Sequence, residues 1–381
     1  MSQYSTYVGM DVHARSITCQ SYDVETGETK TKVFNNAPTP AEVASWLSNL
    51  AQPVYCAYES GCTAFELCRG LRELGMDCDV IAISTLAKSD KAKKGKCDKI
   101  DAKAILAAIL NPMSGHSCVW CPDEGTEGAR DLARMRDEAA QALKRARQRL
   151  LALLLRHGHV WNEKTATGKP KAKWGRDFMR WLDGIELADP CSQKALELYK
   201  RMVETGAELA KEAGEAVGEA ARSPRWKPYV DALGALKGMS VPSAFLVAAE
   251  FGDFTRFESG RKVSCWLGTV PKNSSSGERE SHGGITKAGN SRLRRTLVEG
   301  NAAIALRTAG KKALGKGQVA SAAVKCMADK ANARLAARYR HLTKDNGLRA
   351  CKARIAVVNE QIRWCWAIGV AVHGELERSA R

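Results

Sequence analysis

Four acidic residues in the first quarter of the chain have the types and spacing to do chemistry. Asp11 stands in the apolar run Tyr7-Val8-Gly9-Met10-Asp11-Val12, and Glu59 closes a second one, Val54-Tyr55-Cys56-Ala57-Tyr58-Glu59. A carboxylate at the end of an apolar strand is costly to bury unless a cation or hydrogen-bond donors meet it, so two such strands point to a shared site. Asp98 and Asp101 follow in Lys96-Cys97-Asp98-Lys99-Ile100-Asp101-Ala102-Lys103, at the head of the helix-forming run 102–110. Their i, i+3 spacing puts both on one face of a first helical turn. Hard oxygen ligands of this kind suit Mg²⁺ or Mn²⁺. The chain carries 59 Lys and Arg against 42 Asp and Glu, a net charge of +17. An acidic cluster among lysines in so basic a chain reads as a metal site for cutting a polyanion.

The elements that must position these acids are legible in the same stretch. Strands are predicted over about 5–13, 15–23 and 29–35, with Glu25-Thr26-Gly27 as the turn between the last two. A helix near 40–50, a strand ending at Glu59, a helix over about 63–75 and a strand at about 79–83 follow. The order βββαβαβα describes a mixed α/β sheet, that of the ribonuclease-H-like fold, in which the first and fourth strands are neighbours and Asp11 comes beside Glu59. The stretch 87–96, which holds Lys94 and Lys96, is too charged to pack and reads either as a phosphate-binding flap or as a solvated loop.

Further on, the pattern turns helical. From about 127 to 157 an apolar stripe runs through Leu132, Met135, Ala139, Ala142, Leu143, Ala146, Leu150, Leu153 and Leu154. Arg130, Arg134, Arg136, Lys144, Arg145, Arg147 and Arg149 are expected on the opposite face, with Arg145 and Arg149 as nucleic-acid contacts. A second long helix over about 184–221 can return antiparallel to the first, making a coiled-coil arm or, more plainly, a helical linker domain. Beyond Pro228, the segment 233–250 resembles a helix-hairpin-helix, with Gly238 in the turn that would offer backbone N–H groups to a phosphate and Ser240 in place of the usual second glycine. Ser274-Ser275-Ser276-Gly277 reads as a polar loop, followed by a basic helix start with Lys287, Arg292 and Arg294. The region 320–370 is helical and basic. The thirteen cysteines read as reduced thiols used as small hydrophobes. Cys118-Val119-Trp120-Cys121 has no second ligand pair at zinc spacing, which favours packing over metal. With no apolar run of membrane-spanning length and no signal-sequence pattern, a cytoplasmic, nucleoid-associated protein without a membrane partner is expected.

Taken in order, these motifs resemble the DEDD transposases of insertion sequences. The resemblance rests on Gly9-Met10-Asp11-Val12, Tyr58-Glu59-Ser60-Gly61 and Lys96-Cys97-Asp98-Lys99-Ile100-Asp101-Ala102, then on Gly268-Thr269-Val270-Pro271 through Ser276-Gly277 and Gly284-Ile285-Thr286-Lys287-Ala288-Gly289-Asn290-Ser291-Arg292-Leu293-Arg294. It covers nearly the whole chain. It implies a RuvC-like α/β domain over 1–125, a helical coiled-coil arm over 126–225 and a mainly α transposase domain over 226–381. It also implies a site-specific recombinase of double-stranded element and target DNA, guided by a structured noncoding RNA and working as a homodimer or homotetramer. In such proteins the acids, here Asp11, Glu59, Asp98 and Asp101, hold Mg²⁺ or Mn²⁺ beside a serine nucleophile. That serine is best matched by Ser276, with Ser274 and Ser275 as neighbours that leave the assignment open by one or two positions. The rival readings are a junction-resolving endonuclease that uses metal-activated water and a nucleic-acid-binding protein with an inactive acidic site.

Overall fold

The computed structural model describes residues 4–82, 98–111, 115–276, 279–302, 304 and 312–380. The chain forms two compact units, Met1–Glu124 and Gly125–Arg381.

In the first unit a six-stranded sheet has the order β3-β2-β1-β4-β5-β6. Strands β1 (Thr6–Val12), β2 (Ile17–Asp23) and β3 (Thr29–Phe34) form the antiparallel meander. Its second turn is closed by Gly27 at φ 72° and by the Asp23 carboxylate, which accepts from the Glu25 and Thr26 amides. Helix α1 (Pro40–Ser48) starts on a capping box in which Thr39 and Glu42 each accept from the other's backbone N–H. Strand β4 (Val54–Glu59) then pairs parallel to β1, helix α2 (Glu66–Glu73) follows, and β5 (Asp77–Ile81) pairs parallel to β4. The two-residue strand β6 (Cys118–Val119), antiparallel to β5, was not anticipated. A strand so short has no periodicity to read.

Both faces of the sheet are covered, and alternation decides which side chain goes where. Val8, Met10, Cys56, Tyr58, Cys78 and Val80 pack with Val43, Leu47, Leu67 and Leu71 of α1 and α2. Ala57 and Ile81 face the other way, with Tyr7 and Tyr55 alongside, and pack with Ile105, Leu106 and Ile109 of α3 (Asp98–Leu110). Gly9 lies on this second face. A Cβ there would stand 2.9 Å from the Leu106 Cα and closer still to the Ala102 carbonyl oxygen, so only glycine lets α3 lie on β1.

The second unit is mainly helical. Helix α4 (Glu124–Arg156) packs antiparallel to α6 (Pro190–Ala220): Ala146, Leu150 and Leu153 meet Leu196 and Val203 at one end, while Ala129 and Ala133 share a core with Val217 and Ala221 at the other. Between them α5 (Arg176–Asp183) buries Phe178 and Leu182 against the same leucines. The stripe expected on α4 is buried at Ala139, Ala146, Leu150, Leu153 and Leu154, but Met135, at 42%, and Ala142 are exposed. Arg130, expected on the solvated face, is instead buried: its guanidinium donates to the carbonyls of Ala249 and Glu250, in the last turn of α8 (Val241–Phe251). Arg134 reaches the buried Glu250 carboxylate at 3.0 and 3.1 Å. A helix C-terminus and a buried carboxylate supplied acceptors that periodicity on α4 alone could not reveal.

Among the described residues this unit also holds helices α7 (Lys227–Gly234), α8, α9 (Gly260–Leu267), α10 (Ser291–Gly300), α11 (Ala322–Arg340) and α12 (Ala350–Ala380), α11 ending in a π-helical turn, His341–Asp345. Ser274-Ser275-Ser276, expected in a loop, lie in strand β7 (Pro271–Ser276), which pairs antiparallel with β8 (Arg279–Ile285). An all-polar run carries no alternation to mark a strand; cross-strand pairing makes it one.

None of the twelve described cysteines is in a disulfide. Cys19 is buried, and burial pushes its thiol up to about 12, as suits an inert packing group. Cys121 packs against the core of the first unit.

Candidate active site

The acidic site grows from the β1/β4 pair. Its last paired residues are Met10 and Tyr58, so Asp11 and Glu59 are the next residues on adjacent, parallel strand ends. Both follow the alternation of the α3 face: Asp11 is two residues beyond Gly9, and Glu59 two beyond Ala57. The Asp11 side chain is only 14% exposed, and its Oδ2 lies 3.1 Å from His13 Nε2. Beyond Glu59 the chain is tied down, because the Ser60 amide donates to the Ile81 carbonyl and the Tyr58 hydroxyl to the Ala64 carbonyl. Burial is the largest cause that raises the Tyr58 phenol, which stays a neutral donor.

Helix α3 brings the other two acids toward this end of the sheet. Its C-terminal residues Ile109 and Leu110 lie with Tyr7 and Tyr55, while Ala102 and Leu106 cross Gly9. The first turn therefore continues along β1 toward Asp11. Asp98 opens that turn and Asp101 sits half-buried within it; the Asp98 side chain lies outside the described residues. Two acids in a first turn are also favoured by the helix dipole, which accounts for part of their placement without any ligand. Among the described side chains no three His, Cys, Asp or Glu form a metal cluster. Asp11, Glu59 and Asp101 are carboxylates, the donor type that suits a hard divalent cation.

The serine segment is positioned by different means. Ser274, Ser275 and Ser276 pair with Ser281, Glu280 and Arg279, and Ser276 is the last residue of β7; these side chains and Gly277 lie outside the described residues. The root of the hairpin is a tight backbone lock. Gly268, at φ 70°, would bring a Cβ 2.8 Å from the Ala288 carbonyl carbon and nearer to its oxygen, and Gly289, at φ 68°, packs on the Trp266 carbonyl in the same way. Thr286 donates to Val270 and Lys287 to Gly268 through their amides. Arg294 Nη1 donates to the carbonyls of Leu267 (2.7 Å) and Ala288 (2.6 Å). Thr269 is buried and held through its oxygens by Asn359 Nδ2. Asn290 caps α10 by accepting from the Leu293 amide at 2.9 Å.

Several expected nucleic-acid contacts have partners within the chain. Arg294 is engaged as above, and partial burial lowers its pKa. Arg292 pairs with Asp137 at 3.4 Å and Glu138 at 2.7 Å on α4. Gly238, at φ 79°, makes its close approach to the Gly300 backbone. Lys287 is exposed and adopts φ 58°. Arg145 and Arg149 are exposed on α4, as the helical pattern anticipates. Lys94 and Lys96 lie outside the described residues. What the sequence reading missed is the anchoring role of Arg294. The signal available for it was the pair Gly268 and Gly289, two glycines placed to let backbones touch, with an arginine one turn after the second.

Two arrangements thus recur in one chain, strand-end carboxylates over an α/β sheet and a serine-bearing hairpin among helices. Residues 8–158 match the family described as DEDD transposases of the IS110 type, and residues 230–315 match the transposase IS116/IS110/IS902 family. The chain is 36% identical over 322 residues to a putative transposase, y4qE, of Sinorhizobium fredii, an alignment covering 83% of this chain and 75% of the relative. It is 27% identical over 352 residues to the transposase for insertion sequence element IS1533 of Leptospira borgpetersenii, covering 88% and 96%. A probable family 20 transposase of Pseudomonas aeruginosa is 27% identical over 257 residues, covering 66% of this chain and 71% of the relative. The chain belongs to the IS110/IS116/IS902 family of transposases.

Proposed function

We propose that this protein is a DNA-cutting and strand-exchanging recombinase of an insertion sequence, with a RuvC-like acidic site and a serine nucleophile, guided by a structured noncoding RNA. The observation that carries the reading is the adjacency of the Asp11 and Glu59 strand ends, with the first turn of α3 directed toward them, in a chain of this family. Asp11, Glu59, Asp98 and Asp101 would hold Mg²⁺ or Mn²⁺, which when bound supplies charge neutralisation at the scissile phosphate. His13, hydrogen-bonded to Asp11, fixes the orientation of that carboxylate.

The chain's own groups account for the rest. Ser276 Oγ attacks phosphorus, an O–P bond forms, the bond to the departing deoxyribose oxygen breaks, and the serine proton passes to solvent as that oxygen gains one. The phosphoserine conserves the bond energy, so a hydroxyl of a second DNA end can reverse the step. The lock of Gly268 and Gly289, pinned by Arg294, holds the serine strand rigid at its root. DNA and the guide RNA are held by cations, with Arg145 and Arg149 on the arm and Lys287 beside the hairpin supplying exposed ones. Leu198, Met202 and Leu209, all at least 40% exposed along α6, offer an apolar stripe for pairing with a second copy. Among the described residues no helix is long and apolar enough to cross a membrane.

The deciding experiment incubates wild type, Ser276→Ala and Ser274→Ala with DNA carrying the element ends, its noncoding RNA and Mg²⁺, and resolves products on denaturing gels. A covalent protein–DNA adduct that Ser276→Ala alone abolishes is expected. Normal cleavage by Ser276→Ala, with no adduct in wild type, would mean that water is the attacking group and the protein acts as an endonuclease. No preference for the element's own transcript over scrambled RNA of equal length would remove the guide.

A further inference from the structure

A groove of about 470 Å³ on the arm, lined by α4, by Ala210 of α6 and by the segment leading into α5, has a lining that neither the acidic site nor the serine hairpin uses. Its walls are Arg136, Lys144, Arg147 and Gln148 from α4 and the indole of Trp174; its floor is leucine and alanine. The lining includes three cations and no carboxylate. The volume is in the range of pockets that take small ligands, roughly 300–1,000 Å³.

Two features single out the aromatic wall. The Arg147 guanidinium carbon stands 4.8 Å from the centre of the Trp174 ring, so cation and ring form one stacked platform. Trp174 adopts φ 70°, a left-handed conformation that is rare for a bulky residue and is sustained by its packing on Phe178, 4.8 Å between ring centroids. Arg147 Nε is also shut off from solvent with no acceptor among the described residues. A buried donor without a partner is costly, and an acceptor brought by a ligand would satisfy it.

From this geometry we infer that the groove binds an unpaired nucleotide of a single strand. The base stacks on the Arg147–Trp174 platform, and the flanking phosphates lie against Arg136 and Lys144. Stacked planar faces beside fixed cations are how single strands are held without sequence readout, whereas a base in an intact duplex has no face to offer. An RNA loop and a DNA strand opened during exchange present the same chemistry. The inference rests on neither the acids nor Ser276.

The test uses the full-length protein, fluorescence anisotropy and three probes of equal length: an unstructured RNA, a single-stranded DNA and duplex DNA. Arg147→Met should weaken single-strand binding by about tenfold or more while duplex affinity changes by less than about twofold. Trp174→Leu should do the same; because Trp174 also packs on Phe178, its helicity is checked by circular dichroism, and Arg136→Gln with Lys144→Gln gives a second route that leaves the core intact. A loss confined to RNA assigns the site to the guide, and equal loss on both single strands assigns it to unpaired strands in general. Unchanged single-strand affinity in Arg147→Met, or the same proportional loss on duplex DNA, would overturn the inference. Both readings are of binding alone, so they stand apart from any failure of cleavage or adduct formation.

Discussion

The acidic strand ends and the serine hairpin are held in place by opposite means. Asp11 and Glu59 extend from strands buried on both faces, and the residues around them, Met10 and Tyr58 on one face, Ala102 and Leu106 on the other, are buried apolar side chains, with exposed His13 added only at the Asp11 carboxylate. Ser274–Ser276 belong to a polar two-stranded hairpin whose order comes from its root, where two glycines let backbones touch and one arginine donates to carbonyls. Burial of apolar area is non-directional and distributed over many side chains. A backbone lock depends on a few groups. The first kind of site tolerates loss of a surface contact; the second does not.

Five substitutions break or sharpen that contrast. The largest effect is expected from Asp11→Asn, which should reduce Mg²⁺-dependent strand cleavage by about three orders of magnitude or more while leaving DNA and RNA affinity intact, since removing a negative charge does not weaken attraction to a polyanion. Full cleavage by this variant would remove the acids from the chemistry. Next come Gly9→Ala and Gly289→Ala, which test each region at its tightest point. Either adds a Cβ inside the shell of a backbone oxygen, and Gly289→Ala also strains a left-handed residue. Each should lower stability by roughly 2–5 kcal/mol in denaturant titrations. If the contrast holds, Gly9→Ala broadens unfolding of the first unit, whereas Gly289→Ala spares that unit and abolishes adduct formation.

A smaller effect separates anchoring from phosphate contact at Arg294. Arg294→Met should cost about 1.5–3 kcal/mol from lost charged hydrogen bonds and slow adduct formation, with the salt dependence of DNA binding unchanged. A phosphate contact would instead lower the slope of log affinity against log salt by about one. The smallest change is expected at Arg145→Gln, an exposed arm position. It should weaken nucleic-acid binding about two- to fivefold with a shallower salt slope and leave the thermal midpoint within a degree or two; a marked loss of stability would show that Arg145 is structural.

Much of the first unit was legible because its signals are local and periodic. Alternation marked the meander, the turn at Glu25–Gly27 and β4, and the strand order then required Asp11 and Glu59 to be neighbours. Periodicity likewise marked α4, and Ala- and Glu-rich composition marked α6, which starts at Pro190 rather than near 184. Periodicity failed at Arg130, where the acceptors lie over a hundred residues away, and at β7, where a polar run has no pattern to show.

The sequence by itself determined the element order, the basic character and the motifs that carry the family, because hydrophobic period, turn chemistry and charge are properties of neighbouring residues. Only the tertiary structure decided which cations remain exposed and which are engaged internally. Arg130 and Arg134, expected on a solvated helix face, and Arg292 and Arg294, expected as nucleic-acid contacts, each meet a carboxylate or carbonyl on another element. A guanidinium donates to whatever acceptor the fold brings within hydrogen-bonding distance, and that depends on chain segments far away in sequence.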